Sequence, residues 1–164
     1  MEYMKMHETQ SFRLRQFDLN DTQDLYDALG DKRVVKHMAS DGVTIDICKY
    51  IINESIEHWN KHKIGSYAVV DHETNKIIGW SGFKLWKDNQ YEILIVLSPN
   101  HWGLGSVICD ELFRLAKTEF SLHEVYMLLP VTRKSFRWVH KKGFTFCGDE
   151  TFNEQPFKKF VKIL

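Results

Sequence analysis

The chain has 164 residues, 43% of them hydrophobic, with 22 Lys and Arg against 22 Asp and Glu. That length and apolar content suit one domain with a sizeable core, and a single domain over residues 1–164 is expected. The balanced charge supplies no bulk field to draw in nucleic acid or an anionic membrane, so neither is expected as a partner.

Phe12, Leu14 and Phe17 alternate with polar residues and predict a first strand. Asp21-Thr22-Gln23-Asp24 opens a short helix carrying Leu25, Tyr26 and Leu29, with Gly30 to end it. Thr44 is placed to cap a longer helix whose apolar positions Ile45, Cys48, Ile52, Ile56 and Trp59 keep a helical period. The period then changes. Ser66–Asp71 reads as a strand, residues 72–75 (His-Glu-Thr-Asn) as a turn, and residues 76–85 as the returning strand. Residues 90–97 end in the nearly continuous apolar run YEILIVL, which predicts a central strand buried on both faces. After Ser98 and Pro99 come Gly103 and Gly105, then VICDELFRLAKTEF. There Ile108, Leu112, Leu115 and Ala116 share one face, opposite Asp110, Glu111, Arg114 and Lys117. Residues 125–129 read as a strand, 132–142 as a short helix stopped by Gly143, and 144–147 and 157–164 as closing strands. The expected order is β-α-α-β-β-β-α-β-α-β-β, a mixed α/β fold with helices packed on one sheet.

Cys48, Cys109 and Cys147 are widely spaced, odd in number and form no C-x-x-C, which argues against a disulfide framework or a zinc site. Each lies in an apolar run, so all three are expected to be buried free thiols. His58 and His62 stand at metal-ligand spacing on a helix, but no third ligand is evident and no metal is expected. The first ten residues carry no apolar leader core, and no apolar run approaches about 18 residues. A cytoplasmic location is the expectation.

The stretch NHWGLGS, residues 100–106, sits between a strand and an amphipathic helix. A helix start offers backbone N–H groups without intrahelical partners and a partial positive charge. Glycines there let an anion approach the backbone, and Ser106 adds a hydroxyl donor. The dinucleotide fingerprint is excluded because position 108 is Ile, and no Gly-Lys-Ser/Thr follows to make a Walker A loop. Taken alone, the glycines read equally well as a tight turn without a ligand.

The segment EILIVLSPNHWGLGSVICDEL resembles the cofactor segment of the GNAT N-acetyltransferase superfamily. It is most similar to the branch that acetylates ribosomal-protein N-termini, whose pattern is roughly A-E-I-G-Y-x-L-x-P-x-Y-W-G-x-G. Glu92, Ile93, Leu97, Pro99, Trp102, Gly103 and Gly105 match it. Ser135, Gly143 and Phe144 match the later N-x-x-S…G-F segment, and Ile78-Gly79 resembles the family's I-G strand. The chain departs at Asn100, where the family carries Gln or Arg, and at Thr132, where it carries Asn. It also departs at Val139, where many relatives carry a Tyr general acid.

The resemblance implies a largely antiparallel GNAT-like sheet, acetyl-CoA as co-substrate and an amine as acceptor. It places the pyrophosphate on the amides of Gly103, Leu104, Gly105, Ser106 and Val107, with Trp102 packing the turn. The pantetheine arm would pair with the strand backbone at Ile95, Val96 and Leu97. Glu92, an acid in an apolar strand, is the candidate general base, since burial would raise its affinity for a proton. Ser135 is a candidate for contact with the cofactor or its thiolate, Tyr91 and Tyr126 are weaker candidates for an acid, and Trp86 is a candidate for exposure at an acceptor rim. Arg133, Arg137 and Lys141 recur every four residues, as a solvated face or a contact for the 3′-phosphate. The acceptor is expected to be a primary amine: a protein N-terminus, a polyamine or a small molecule. Loops near 30–43 and 85–90 would choose it. A homodimer stays open, as does a non-catalytic acyl-CoA-binding or interaction module on the same fold.

Overall fold

The computed structural model describes residues 6–8, 11–35 and 42–164. Its elements are β1 (Met6–Glu8), β2 (Phe12–Arg15), α1 (Thr22–Leu29), α2 (Lys32–Val35), α3 (Ile45–His62), β3 (Ser66–Asp71), β4 (Ile77–Leu85), β5 (Tyr91–Leu97), α4 (Gly105–Thr118), β6 (Glu124–Pro130), α5 (Arg137–Lys141), β7 (Thr145–Phe152) and β8 (Gln155–Ile163). The strands form one sheet in the order β1-β2-β3-β4-β5-β6-β8-β7, and only β5 and β6 run parallel. The mixed, largely antiparallel α/β architecture is the expected one; β1 and α2 are additions to the expected order. Residues 36–41, part of one loop expected to choose the acceptor, lie outside the described residues.

Local sequence signals account for the long helix. The Thr44 hydroxyl accepts from the Ile47 N–H at 3.2 Å, a cap worth about 1 kcal/mol. Asp46 lies in the first turn and Lys61 and His62 in the last, each matching the helix dipole. Lys63 then takes a left-handed conformation and ends the helix. Leu25, Leu29, Cys48 and Ile52 of α1 and α3 pack against Ala68 and Val70 on one sheet face. Ile108, Leu112, Leu115 and Val139 of α4 and α5 pack with Val69, Ile93, Leu97 and Val125 on the other. Each such buried side chain contributes about 1.5–3 kcal/mol, so the two clusters hold the helices to the sheet. Gly79 is required by this packing: a Cβ there would lie 2.6 Å from both the Val96 carbonyl oxygen and a Leu97 methyl.

Several expectations need correction. Strand β5 is not buried on both faces: Ile93 and Leu97 are, while the residues between and before them are half-buried. The apolar run lines a cleft as well as a core. The helix expected over 132–142 is confined to Arg137–Lys141. Ser135 Oγ accepts from the Arg137 N–H, so a side chain rather than an earlier helical turn receives that donor. The last two strands extend into a longer hairpin than residues 144–147 and 157–164 predict, because residues 148–152, polar except for Gly148 and Phe152, pair as a largely exposed edge. Strand β2 stops at Arg15, and Phe17 is buried beyond it. Trp86 is half-buried against Phe152, with its indole N–H out of solvent, rather than exposed at a rim.

Cys147 is exposed, against expectation, because it lies at the bulge between Phe146 and Gly148 on that edge. Cys48 and Cys109 are buried, and burial pushes their thiols up to about 11 and about 12. One thiol, Cys147, should therefore react quickly in the native protein and the other two only after denaturant is added. Thiol titration with a chromogenic disulfide, followed by mapping of the labelled peptide, checks this count.

Candidate active site

Parallel pairing between β5 and β6 is confined to Glu92 and Tyr126. Beyond that pair the strands diverge, while β5 stays fully paired to β4 on its other edge. Residues 93–97 thus present a backbone edge with no strand opposite it. A cleft of about 700 Å³ opens there, of the size that ordinary small-molecule sites have. Its walls include Leu94, Val96, Met127, Leu129, Trp138 and Phe157, with Glu92 and Arg133 as the ionisable side chains.

At the upper end of β5 the chain turns through a 3-10 helix, Pro99–Leu104, directly into α4. The Trp102 indole N–H donates to the Leu97 carbonyl at 3.1 Å and pins the turn to the strand end, as expected for a residue that packs the turn. Gly103 and Gly105 both border the cleft, and neither is needed by the chain's own packing. A Cβ at Gly103 would meet nothing within 4 Å, and one at Gly105 only a Leu97 methyl at 4.0 Å. Gly105 has ordinary helical angles, φ −54° and ψ −40°. Two glycines kept without strain or crowding leave open backbone at a helix start, which suits an anion. One expected donor is spent: the Gly105 N–H bonds the Trp102 carbonyl.

Ile95, Val96, Leu97, Trp102, Gly103, Gly105 and Ser106 all line the cleft. Leu104 instead packs half-buried against the core, and Val107 points to solvent. Ser135 is exposed two residues before α5, outside the cleft lining. The supposed basic stripe is divided. Arg137 and Lys141 are exposed, but Arg133 precedes α5 and enters the cleft wall, its Nε–H donating to the Ser135 carbonyl. Val34, Trp138 and Phe157 also reach the cleft, and no local motif marks them.

Glu92 sits where the two strands part. Its carboxylate makes no hydrogen bond or ion pair among the described residues. Burial pushes its pKa up to about 7, with Lys84 pulling the other way. Tyr126 is committed elsewhere: its hydroxyl donates to Glu124 at 2.5 Å, and burial foremost, then that bond, push it up to about 12. Tyr91 is half-buried against the core, and burial raises its pKa. His58 uses both ring nitrogens within the fold, Nε2 accepting from the Leu85 N–H and Nδ1 bonded to the Ile64 carbonyl. No group of three or more His, Cys, Asp or Glu suited to a metal occurs among the described residues.

An open-edged strand, a cleft at its parting point and uncrowded backbone at a helix start thus come together in one place. Residues 11–144 match the acetyltransferase (GNAT) domain family, and the chain belongs to it. No curated protein sequence matches significantly. Among solved structures, a GNAT-family acetyltransferase from Bacillus anthracis superposes with TM-score 0.74 at 17% identity, covering 96% of each chain. RimL, a ribosomal L7/L12 alpha-N-protein acetyltransferase, superposes with TM-score 0.78 at 14% identity, covering 99% of this chain and 96% of its own. The microcin C7 self-immunity acetyltransferase MccE, solved with acetyl-CoA and AMP, gives TM-score 0.74 at 17% identity, covering 95% and 94%. GNAT enzymes use acetyl-CoA, and the chain is an acetyl-CoA-dependent N-acetyltransferase. No helix among the described residues is long and apolar enough to cross a membrane.

Proposed function

We propose that the acceptor is a primary amine and that Glu92 is the base that deprotonates it, directly or through one water. The observation that carries this is a single carboxylate, free of protein partners, at the vertex of an otherwise largely apolar cleft. A protonated amine cannot attack. It must give a proton to a group whose affinity lies near neutrality, and burial tunes Glu92 there. The amine nitrogen then bonds the thioester carbonyl carbon, the C–S bond breaks, and the proton that the nitrogen sheds in becoming an amide balances the one taken up by the departing thiolate. Much of the acceleration would come from holding the two substrates together. The open edge of residues 95–97 fits the pantetheine arm, and the backbone of residues 103–107 with the Ser106 hydroxyl fits the pyrophosphate. Ser135, outside the cleft lining but bonded through its carbonyl to Arg133, is our second candidate for cofactor contact: its hydroxyl oxygen accepts from the Arg137 N–H, leaving its own proton to donate.

A protein N-terminus, a polyamine and a small amine all satisfy this chemistry. The fold shared with an alpha-N-protein acetyltransferase supports the first without excluding the others. The test is thiol release from acetyl-CoA across a panel of peptides with free N-termini, polyamines and small amines. Release above hydrolysis with one class of amine is the expected result. A protein that binds acetyl-CoA yet releases no thiol with any amine would overturn the proposal.

A further inference from the structure

Lys142 stands 36 residues from Ser106 in sequence, yet it is bonded to it. Its Nζ donates to the Ser106 hydroxyl oxygen at 2.9 Å, to the Ser106 carbonyl at 3.2 Å and to Asp110 at 2.6 Å. The Lys142 side chain is only 11% exposed, although its partner Asp110 is 65% exposed. A single ammonium, tucked against the start of α4, thus spends its three protons on the first two turns of that helix. It reaches there from the residue that follows α5.

The chemistry of these contacts has a direction. An ammonium has no lone pair, so Ser106 Oγ must accept from it. The serine's own proton is then driven away from Lys142. Ser106 borders the cleft, and its hydroxyl donates to no group among the described residues. Because the Gly105 N–H is already spent on Trp102, a hydroxyl donor at the next position matters more. Asp110 pairs with the ammonium and offsets most of its charge, so Lys142 acts here through orientation rather than as a free cation.

We propose that Lys142 is a positioning residue for cofactor binding: it fixes Ser106 so that the hydroxyl presents its proton to a phosphate of acetyl-CoA. This rests on the reading of residues 103–107 as the pyrophosphate site. The probe is CoA itself, titrated by calorimetry into Lys142→Met, Ser106→Ala, the double variant and Lys142→Arg, each with a melting curve. Lys142→Met and Ser106→Ala should each weaken CoA by about 10–150-fold, the scale of one lost hydrogen bond to a charged group. The double variant should be no weaker than Ser106→Ala alone, and Lys142→Arg should retain most of the affinity. Additive losses would mean that Lys142 touches the phosphate independently, and would overturn the proposal. So would a Lys142→Met protein that melts lower but binds CoA normally. If these variants bind normally while Gly105→Asp does not, the positioning role falls and the phosphate site stands. If Gly105→Asp also binds normally, the site itself is wrong.

Discussion

Gly105→Asp should abolish measurable acetyl-CoA binding, at least about 100-fold, in a protein that melts no lower than the wild type. The two halves of this expectation have different causes. Position 105 has helical angles and open space where a side chain would go, so the backbone accepts Asp without strain. It is also the first residue of α4, where a negative charge interacts favourably with the helix dipole by about 0.3–1 kcal/mol. Folding is therefore unharmed or slightly favoured. Binding suffers twice. The carboxylate fills the room that the glycine leaves and sets a negative charge against a phosphate. At about 4 Å that repulsion is about 1 kcal/mol in bulk water and about 4 kcal/mol near a protein surface. Calorimetry with acetyl-CoA and a melting curve on the same preparation measure both. A stable variant with unchanged affinity would remove residues 103–107 from cofactor binding.

Glu92→Gln should lower turnover by about 10²–10⁴-fold, the usual scale for loss of a general base, and leave acetyl-CoA affinity nearly intact. The amide keeps the shape of the side chain but cannot take a proton. In the wild type, kcat/KM should fall as pH drops through about 7, where the carboxyl becomes protonated. The variant should lose that inflection and gain rate at high pH, where more amine arrives deprotonated. Stability moves the other way. The folded-state pKa of Glu92 is raised from 4.5, so between 4.5 and about 7 the native state holds a proton that the unfolded state does not. Stability attributable to Glu92 then declines as pH rises through that window, by on the order of 3 kcal/mol at most. Near neutral pH the Gln variant should be more stable and less active. A variant that is inactive because it melts early would make Glu92 structural, and one with wild-type kinetics would exclude it as the base. A raised KM with unchanged kcat would assign it to holding the acceptor's cation instead.

Much of the molecule is legible in its sequence. Helical periodicity located α1, α3 and α4, each of which buries one stripe, and apolar runs bounded by turn residues located β3 to β6. The loop proposed to hold the cofactor was legible for a local reason: a helix start, its glycines and Ser106 all lie within a few residues. Glu92 stood out because a lone carboxylate in YEILIVL conflicts with its surroundings, and such conflicts collect at working sites.

The short and exposed parts were less legible. The hairpin of β7 and β8 runs beyond its apolar residues, since edge pairing needs backbone more than side chains. Cys147 looked buried in an apolar run, yet a bulge turns it outward. By itself, then, the sequence determined the fold class, the family and the place of the glycine turn at the start of α4, all set by patterns that local geometry repeats. Only the tertiary structure decided where β5 and β6 part, that Arg133 enters the cleft while Arg137 does not, and that Lys142 holds Ser106. Those facts depend on strand divergence and on contacts between residues far apart in the chain, which no spacing along one segment encodes.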